Sequence, residues 1–345
     1  MDILNKKSLQ FELWHECNSK CKFCYLGSNN IKTPVSLKLK AIKDAIAFIS
    51  DDKNLESYNV LSYIGGEFFQ GQLETLELKK AFKDLMTKTA ELQIANKINE
   101  VWLMCTLTIG DQTDLYENLE LLKNIYNQAN KPELMKQLWL VTSYDTIGRF
   151  HTKKMLDTWD YHMKNIHKQY PFIKFIVCTI LTQDLLTKYL NDKFSFHDFQ
   201  KEYHASFFFK QPSPGSTQPT NTECSLLDQY YEAKQIMETK LPGFFPKRNT
   251  FLEFLIKFKQ DCPELYDKLF NLVYRADDLY RNFNDEESGH RMQQNHRNKI
   301  TLEESIVGNE KDCGQNTNKC GHLINYSGYI DSKECMICDR NLIQR

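Results

Sequence analysis

The chain has 345 residues, of which 41% are hydrophobic, and its 44 basic and 45 acidic side chains give a formal net charge of −1. This length and composition support a substantial buried core and roughly two domains. The balanced charge excludes the large field of one sign that draws a protein to nucleic acid or a membrane surface. No run reaches roughly 20 apolar residues and no signal peptide is evident, so we expect no membrane association and a cytoplasmic location.

Short β-rich runs alternate with longer helical segments over the first part of the chain. The predicted strands cover residues 9–15, 59–65, 101–109, 137–143, 172–181 and 205–210. Most are apolar on both faces, as is typical of parallel strands covered by helices. Helical periodicity lies between them, in the stripes Ile42, Ala45, Ile46, Ile49; Leu115, Leu119, Leu122, Tyr126; and Met155, Trp159, Met163, Ile166, and in segments 73–94 and 183–191.

Six strands alternating with five crossover helices predict an α/β fold with a parallel sheet. Six units are too few for a closed eight-stranded barrel, so we expect an open partial (β/α)6 barrel over residues 1–210. Residues 211–224 predict a linker or surface loop, and residues 225–300 a mostly helical extension with breaks at Pro242 and Pro263. Residues 301–345 form a small Cys-rich tail.

Three cysteines cluster in the stretch "WHECNSKCKFCY", at Cys17, Cys21 and Cys24, with the spacing C-x3-C-x2-C. In a reducing compartment such a cluster indicates metal rather than disulfides. A structural zinc site takes four protein ligands, which Cys105 or His15 could complete. On a four-iron cubane, in contrast, three thiolates leave one iron open to a ligand that is not protein.

At these residues the chain resembles the radical S-adenosylmethionine superfamily, whose signature C-x3-C-x-φ-C is matched by Cys17, Cys21, Phe23 and Cys24. The resemblance implies a [4Fe-4S] cluster whose open iron chelates the amino and carboxylate groups of S-adenosylmethionine. It also implies an external one-electron reductant and a reaction that begins with hydrogen-atom abstraction from the substrate. Cys105 and Cys178 lie inside apolar strands, where small buried thiols are ordinary packing residues.

The stretch "YIGGEFF" places Gly65, Gly66 and Glu67 after the second predicted strand. Glycines let a backbone approach a ligand closely, and a carboxylate can pair with an ammonium group. The superfamily carries a Gly-Gly-Glu motif here, and the resemblance implies that these residues hold the methionine amino group. Without the cysteines, the same three residues predict only a turn.

The stretch "TSYDTIGRFH" follows the fourth predicted strand and partly resembles a segment of the peptide-modifying branch of the superfamily. The resemblance implies that Ser143 contacts the ribose and Arg149 the methionine carboxylate, with adenine near Thr179 or Thr182. Thr146 stands where that branch has glycine. The alternative is a turn with a solvent-facing arginine.

The tail carries four cysteines with the spacing C-x6-C-x14-C-x2-C, namely Cys313, Cys320, Cys335 and Cys338. A hairpin around a Ser-Gly turn would bring them together, which suits zinc or a second [4Fe-4S] cluster, with His322 as a substitute ligand. The tail is loosely similar to the auxiliary-cluster extensions of peptide modifiers, although it lacks their longer cysteine array. Four unpaired thiols are the remaining alternative.

These patterns predict an oxidoreductase of the radical S-adenosylmethionine type, acting on a small molecule or on a peptide or protein. The superfamily's peptide modifiers favour a peptide or protein substrate by analogy. One alternative is a non-catalytic binding or regulatory protein stabilised by zinc. Another is an activator that places a glycyl radical on a partner enzyme.

Overall fold

The computed structural model describes residues 8–19, 21, 22, 24, 32–56, 58–210, 212 and 226–266. Its strands are β1 (Ser8–Glu12), β2 (Val60–Ile64), β3 (Glu100–Met104), β4 (Leu138–Tyr144), β5 (Lys174–Ile180) and β6 (Ala205–Lys210). Its helices are α1 (Val35–Ser50), α2 (Leu76–Ile94), α3 (Thr113–Gln128), α4 (Lys153–Gln169), α5 (Gln183–Leu190), α6 (Phe196–Tyr203), α7 (Leu226–Lys240) and α8 (Arg248–Asp261). Two short 3₁₀ helices span Asp52–Asn54 and Pro132–Gln137.

All six strands form one parallel sheet in the order β1-β2-β3-β4-β5-β6, which confirms the α/β class and the alternation of strands with helices. Right-handed crossovers between strands in sequential order put the connecting helices on one side of a sheet. The sheet therefore has a helix-covered face and a face that the crossover helices leave free. The connection from β5 to β6 contains two helices, and the second of them, α6, is not predicted from the sequence.

The main hydrophobic core lies on the helix-covered face. Alternate residues of each strand point into it, among them the fully buried Phe11, Tyr63, Leu103, Leu140 and Val177. The helices meet these residues with apolar stripes that agree with the predicted periodicity. Buried members of those stripes are Ile42, Ala45, Ile49, Leu115, Leu119, Leu122, Tyr126, Trp159, Met163 and Ile166.

The other face of the sheet, here called the helix-free face because no crossover helix covers it, is mixed rather than apolar. Side chains on it include Gln10, Glu12, Ser62 and Lys174 beside a smaller apolar group around Trp139. The sequence prediction of strands that are apolar on both faces does not hold on this side. A polar lining is expected where a sheet faces a site instead of a helix layer.

The segments after β6 lie on both sides of the sheet. Helix α8 packs against α5 and adds Phe254 and Phe258 to the main core. Residues 237–245, here called the cap, contribute Met237, Leu241, Phe244 and Phe245 to a separate apolar cluster with Ile180 of β5 and Ile147. Helices α7 and α8 end just before Pro242 and Pro263, the two predicted breaks. None of the helices in the described ranges has the length and apolar character needed to cross a membrane.

Candidate functional site

The backbone that leads from β1 into the cysteine segment (residues 17–24) lies along the loop after β2. Gly66 N donates to Trp14 O at 2.9 Å, and Glu67 N donates to Glu16 O at 2.9 Å. A Cβ on Gly65 would lie 2.3 Å from Trp14 O, and one on Gly66 only 2.2 Å from Glu16 O. Both glycines are therefore needed for the close approach of these two loops, and not only for the approach of a ligand.

Glu67 holds the loops after β2 and β3 together. Its carboxylate is 1% exposed, with Oε1 accepting from Phe68 N at 2.8 Å and Phe69 N at 3.0 Å, and Oε2 accepting from Thr106 N at 2.6 Å. Burial raises the pKa of Glu67, and these hydrogen bonds oppose the shift. Its carbonyl oxygen accepts from Trp14 Nε1 at 2.8 Å. The Glu67 carboxylate thus already accepts three backbone hydrogen bonds. Its contact with the methionine amino group stays a prediction.

Glu16 joins the residue before the first cysteine to the start of α1. Its Oε2 accepts from Thr33 N at 3.0 Å and lies 2.8 Å from Lys38 Nζ. Lys38 is fully buried and also donates to Gln72 O at 2.9 Å. The sequence analysis does not identify this contact, which fixes both ends of the stretch that contains the three cysteines.

The three thiols of the segment share one electrostatic environment. Cys17 and Cys24 are half-buried, Cys21 is buried, and all three are free of disulfides. Burial raises the pKa of the Cys17 thiol to about 12, and the charge of Glu67 and the two other thiols add to the shift. The backbone hydrogen bond with Ser19 opposes it. Thiolates at these positions therefore need a nearby positive charge, from the protein or from a metal.

Residues 145–149, here called the site turn, supply such a charge through Arg149, and the Asp145 carboxylate shapes this turn. The Asp145 carboxylate is fully buried and accepts from Ile147 N at 3.2 Å, Gly148 N at 2.7 Å and Arg149 N at 2.9 Å. Gly148 O in turn accepts from Lys22 N at 3.2 Å. Asp145 thus shapes the turn, and the turn contacts the cysteine segment directly.

The Arg149 guanidinium lies within the field of all three thiols. Burial by itself lowers the pKa of Arg149, but the negative charges of Cys21, Cys17, Cys24 and Asp145 outweigh it and raise the pKa. The Nε atom is enclosed and has no hydrogen-bond partner among the described residues. The side chain as a whole is half-buried, and its contact with the methionine carboxylate stays a prediction.

A second polar network, not identified from the sequence, links the cysteine segment to the loops after β2 and β3. Ser19 Oγ lies 3.0 Å from Thr108 Oγ1, and Asn18 Nδ2 donates to Gln70 O at 2.5 Å. Gln70 Nε2 donates to Thr106 Oγ1. Serine, threonine, asparagine and glutamine carry weak sequence signals, so only the fold shows that these side chains meet.

The remaining predicted residues are placed as follows. Ser143 is half-buried near the end of β4, on the helix-free face. Thr179 is fully buried, and Thr182 caps α5 by accepting from Leu185 N at 3.2 Å; an adenine ring near them stays a prediction. Several predicted site residues lie outside the described residues, namely Phe23, Cys313, Cys320, His322, Cys335 and Cys338.

Metal-binding geometry is not preformed in the part of the chain that the structure describes, where no group of three or more His, Cys, Asp or Glu side chains could hold a metal ion as placed. Cys105 lies in the core of the helix-covered face, and His15 Nε2 lies 3.3 Å from Glu12 Oε1. Neither joins the three thiols as a fourth ligand. The donor chemistry, three thiols beside one guanidinium, fits an anionic thiolate-bound cluster better than a closed zinc site.

Comparison with known proteins adds no family to this description: no protein-family model matches the chain, and no curated protein matches it. The chain is defined by its fold and its site, an α/β protein with a parallel sheet and a thiol-bearing segment after its first strand. Its function has to be argued from these residues.

Proposed function

We propose that the chain is a radical S-adenosylmethionine enzyme whose six parallel strands form an open partial (β/α)6 barrel. The observation that supports this proposal most directly is the Arg149 guanidinium, which lies within the field of three thiols and whose enclosed Nε has no partner in the part of the chain that the structure describes. A buried N–H without an acceptor costs about 1–3 kcal/mol, so an anionic ligand is expected to meet it. The carboxylate of S-adenosylmethionine is such a ligand.

Cys17, Cys21 and Cys24 would hold a [4Fe-4S] cluster with one iron open to the cofactor. When bound, this cluster supplies the electron, taken from an external reductant, that cleaves S-adenosylmethionine to a 5'-deoxyadenosyl radical able to abstract a hydrogen atom. The Arg149 charge favours the thiolate form of the ligands and the negative charge of the cluster.

The chain's own residues then act by placement and by exclusion of water. Asp145 and Glu67 hold two loops rigid through three backbone hydrogen bonds each, so the site needs little reorganisation when ligands bind. Ser143 would contact the ribose from the end of β4. The Gly65 to Glu67 loop would receive the methionine amino group, with Glu67 shaping the loop. The cap packs against Ile180 at the carboxyl end of β5.

The Cys-rich tail would hold a second metal centre, zinc or another [4Fe-4S] cluster, on Cys313, Cys320, Cys335 and Cys338. The proposed substrate is a small molecule or a peptide or protein. Both proposals rest on the sequence pattern, since the tail lies outside the described residues.

An anaerobic preparation of the full chain tests the proposal. We expect about four irons and four sulfides per chain for one cluster, or about eight of each for two. Adding S-adenosylmethionine and dithionite should then yield 5'-deoxyadenosine. Cys21→Ala should abolish both the first cluster and the cleavage, whereas Cys262→Ala, at the end of α8, should keep both. Zinc without iron, together with no cleavage, would overturn the proposal and support the zinc-stabilised binding protein.

A further inference from the structure

On the helix-free face of β4, β5 and β6, the floor at mid-strand is buried, the rim toward the carboxyl ends is half-buried, and the cap covers Ile180 beyond it. The register pairs Val141 with Ile176, and both are buried, at 8% and 3% exposure. Two residues further along the strands, Ser143 pairs with Cys178 and Cys178 with Phe208, and all three are half-buried. Directly paired residues of parallel strands point to the same side, so this surface opens toward the end of the sheet that carries the three cysteines.

The rim of this surface is positively charged. Burial raises the pKa of the Cys178 thiol, while Lys210 and Arg149 lower it, so both cations lie near this thiol. Lys210, the last residue of β6, is exposed, and its Nζ lies 5.9 Å from the centre of the Phe208 ring. The strands β4 to β6 place Lys174 and Lys210 on this face and no acidic residue. Among the described residues, no carboxylate forms an ion pair with Lys210.

The interior of the same surface is apolar and keeps one unsatisfied donor. Trp139 is 4% exposed, and its Nε1 meets no hydrogen-bond acceptor within the described ranges. The Lys174 ammonium lies 4.7 Å from the centre of the Trp139 ring. At the rim, Met237 and Phe244 of the cap pack against Ile180, which is on the same face as Cys178. An occupant of this surface therefore meets aromatic and aliphatic groups on its body and the Lys210 ammonium at one end.

We propose that the helix-free face from Ser143 to Lys210 binds an organic anion with an aromatic or apolar body, and that this anion is the substrate of the site described above. The assignment as substrate rests on the proposed function, whereas the anion binding itself does not. Lys210 would pair with the carboxylate, and Phe208 and the floor residues would pack against the body. Arg149 remains assigned to the cofactor. This chemistry is shared by free aromatic acids and by a peptide that ends in an aromatic residue.

Three probes separate the parts of this proposal on the full chain, with binding followed by saturation-transfer NMR. N-acetyl-phenylalanine carries the ring and the charge, its amide keeps the ring without the charge, and a tetrapeptide ending in phenylalanine adds the peptide. We expect the acid to bind at least about tenfold more tightly than the amide, the value of one charge-assisted hydrogen bond. Tighter binding of the tetrapeptide assigns the substrate to peptides, and weaker binding assigns it to free acids.

Lys210→Met should weaken binding of the acid about tenfold and leave the amide unchanged. Lys201→Met, on the exposed side of α6, is the matched control and should change neither. Equal binding of acid and amide, or equal loss in both variants, overturns the proposal. This titration needs neither iron nor S-adenosylmethionine. If the acid does not bind although the chain cleaves S-adenosylmethionine normally, only the proposed anion site is refuted. If the acid binds but the chain holds no iron and does not cleave S-adenosylmethionine, only the proposed radical chemistry is refuted.

Discussion

Lys38 Nζ lies 2.8 Å from Glu16 Oε2, and the lysine is fully buried although it belongs to a surface helix. The same carboxylate oxygen accepts from Thr33 N, and the same ammonium group donates to Gln72 O. The pair therefore joins the two ends of residues 17–32, the stretch that contains all three cysteines. A charge buried in this way is stable only with its partner in place.

Lys38→Met tests this contact. The substitution keeps an unbranched side chain, one atom shorter, and removes the charge, so Glu16 loses its cation and Gln72 O loses a donor. Because the Glu16 side chain is 15% exposed, we expect a loss of about 2–3 kcal/mol in the free energy of unfolding, below the range for a fully buried pair. Urea denaturation of the purified chain measures it.

The control for this variant lies on the same helix. Lys40 Nζ is 2.7 Å from Asp44 Oδ2, but these side chains are 52% and 33% exposed. Lys40→Met should therefore cost less than about 1 kcal/mol. Equal losses in the free energy of unfolding for Lys38→Met and Lys40→Met would show that burial of Lys38 does not increase the contribution of its ion pair to stability.

Gly66→Ala tests the close approach of the loops after β1 and β2. The new Cβ would lie 2.2 Å from Glu16 O and 2.4 Å from His15 O, and backbone atoms cannot move aside as a flexible side chain can. We expect a loss of about 3 kcal/mol or more in the free energy of unfolding. Gly110→Ala is the matched control, because its Cβ meets nothing within 4 Å. A stable Gly66→Ala chain would contradict the observed loop packing.

The strands and most helices are predictable from the sequence because their signal is local. The stripe of Leu115, Leu119 and Leu122 gives the position of α3 from periodicity alone, and turn residues separate the six apolar runs. Helix α6 (Phe196–Tyr203) is not predicted, although it has the same length as the predicted α5, eight residues. The strand ends also shift by up to five residues: the third predicted strand extends to residue 109, whereas β3 ends at Met104. Beyond Met104 the backbone leaves the ladder to form the loop that meets Glu67.

The site is less predictable, because its contacts are between residues far apart in the chain. Lys38 is on the same helical stripe as Ile42, Ala45 and Ile49, so a lysine in an apolar stripe is a signal that could have identified the buried pair. No comparable sequence pattern indicates that Gly66 is needed for the close approach of the loops after β1 and β2. This need depends on how closely the chain after β1 passes, which only tertiary structure determines.

Glu67→Gln separates the structural role of this side chain from its predicted contact with the cofactor. An amide keeps one acceptor oxygen, so its NH2 group must face either Thr106 N or the N–H groups of Phe68 and Phe69. We expect a loss of about 1–3 kcal/mol in the free energy of unfolding of the metal-free chain. Glu253→Gln, exposed on α8, should stay within about 0.5 kcal/mol. If Glu67→Gln unfolds like the parent chain, the three hydrogen bonds do not support the loop.

Arg149→Met and Arg149→Lys test the proposed carboxylate contact. Methionine removes the charge beside the three thiols, and lysine restores a charge without the planar fork that binds a carboxylate through two N–H groups. In iron-loaded protein we expect S-adenosylmethionine to bind about tenfold or more weakly to the methionine variant, with partial recovery in the lysine variant. Equilibrium binding at matched iron content measures this, and Lys153→Met, exposed at the start of α4, is the control. If the methionine variant keeps full affinity while losing iron, Arg149 serves the thiolates of the cysteine segment and not the cofactor.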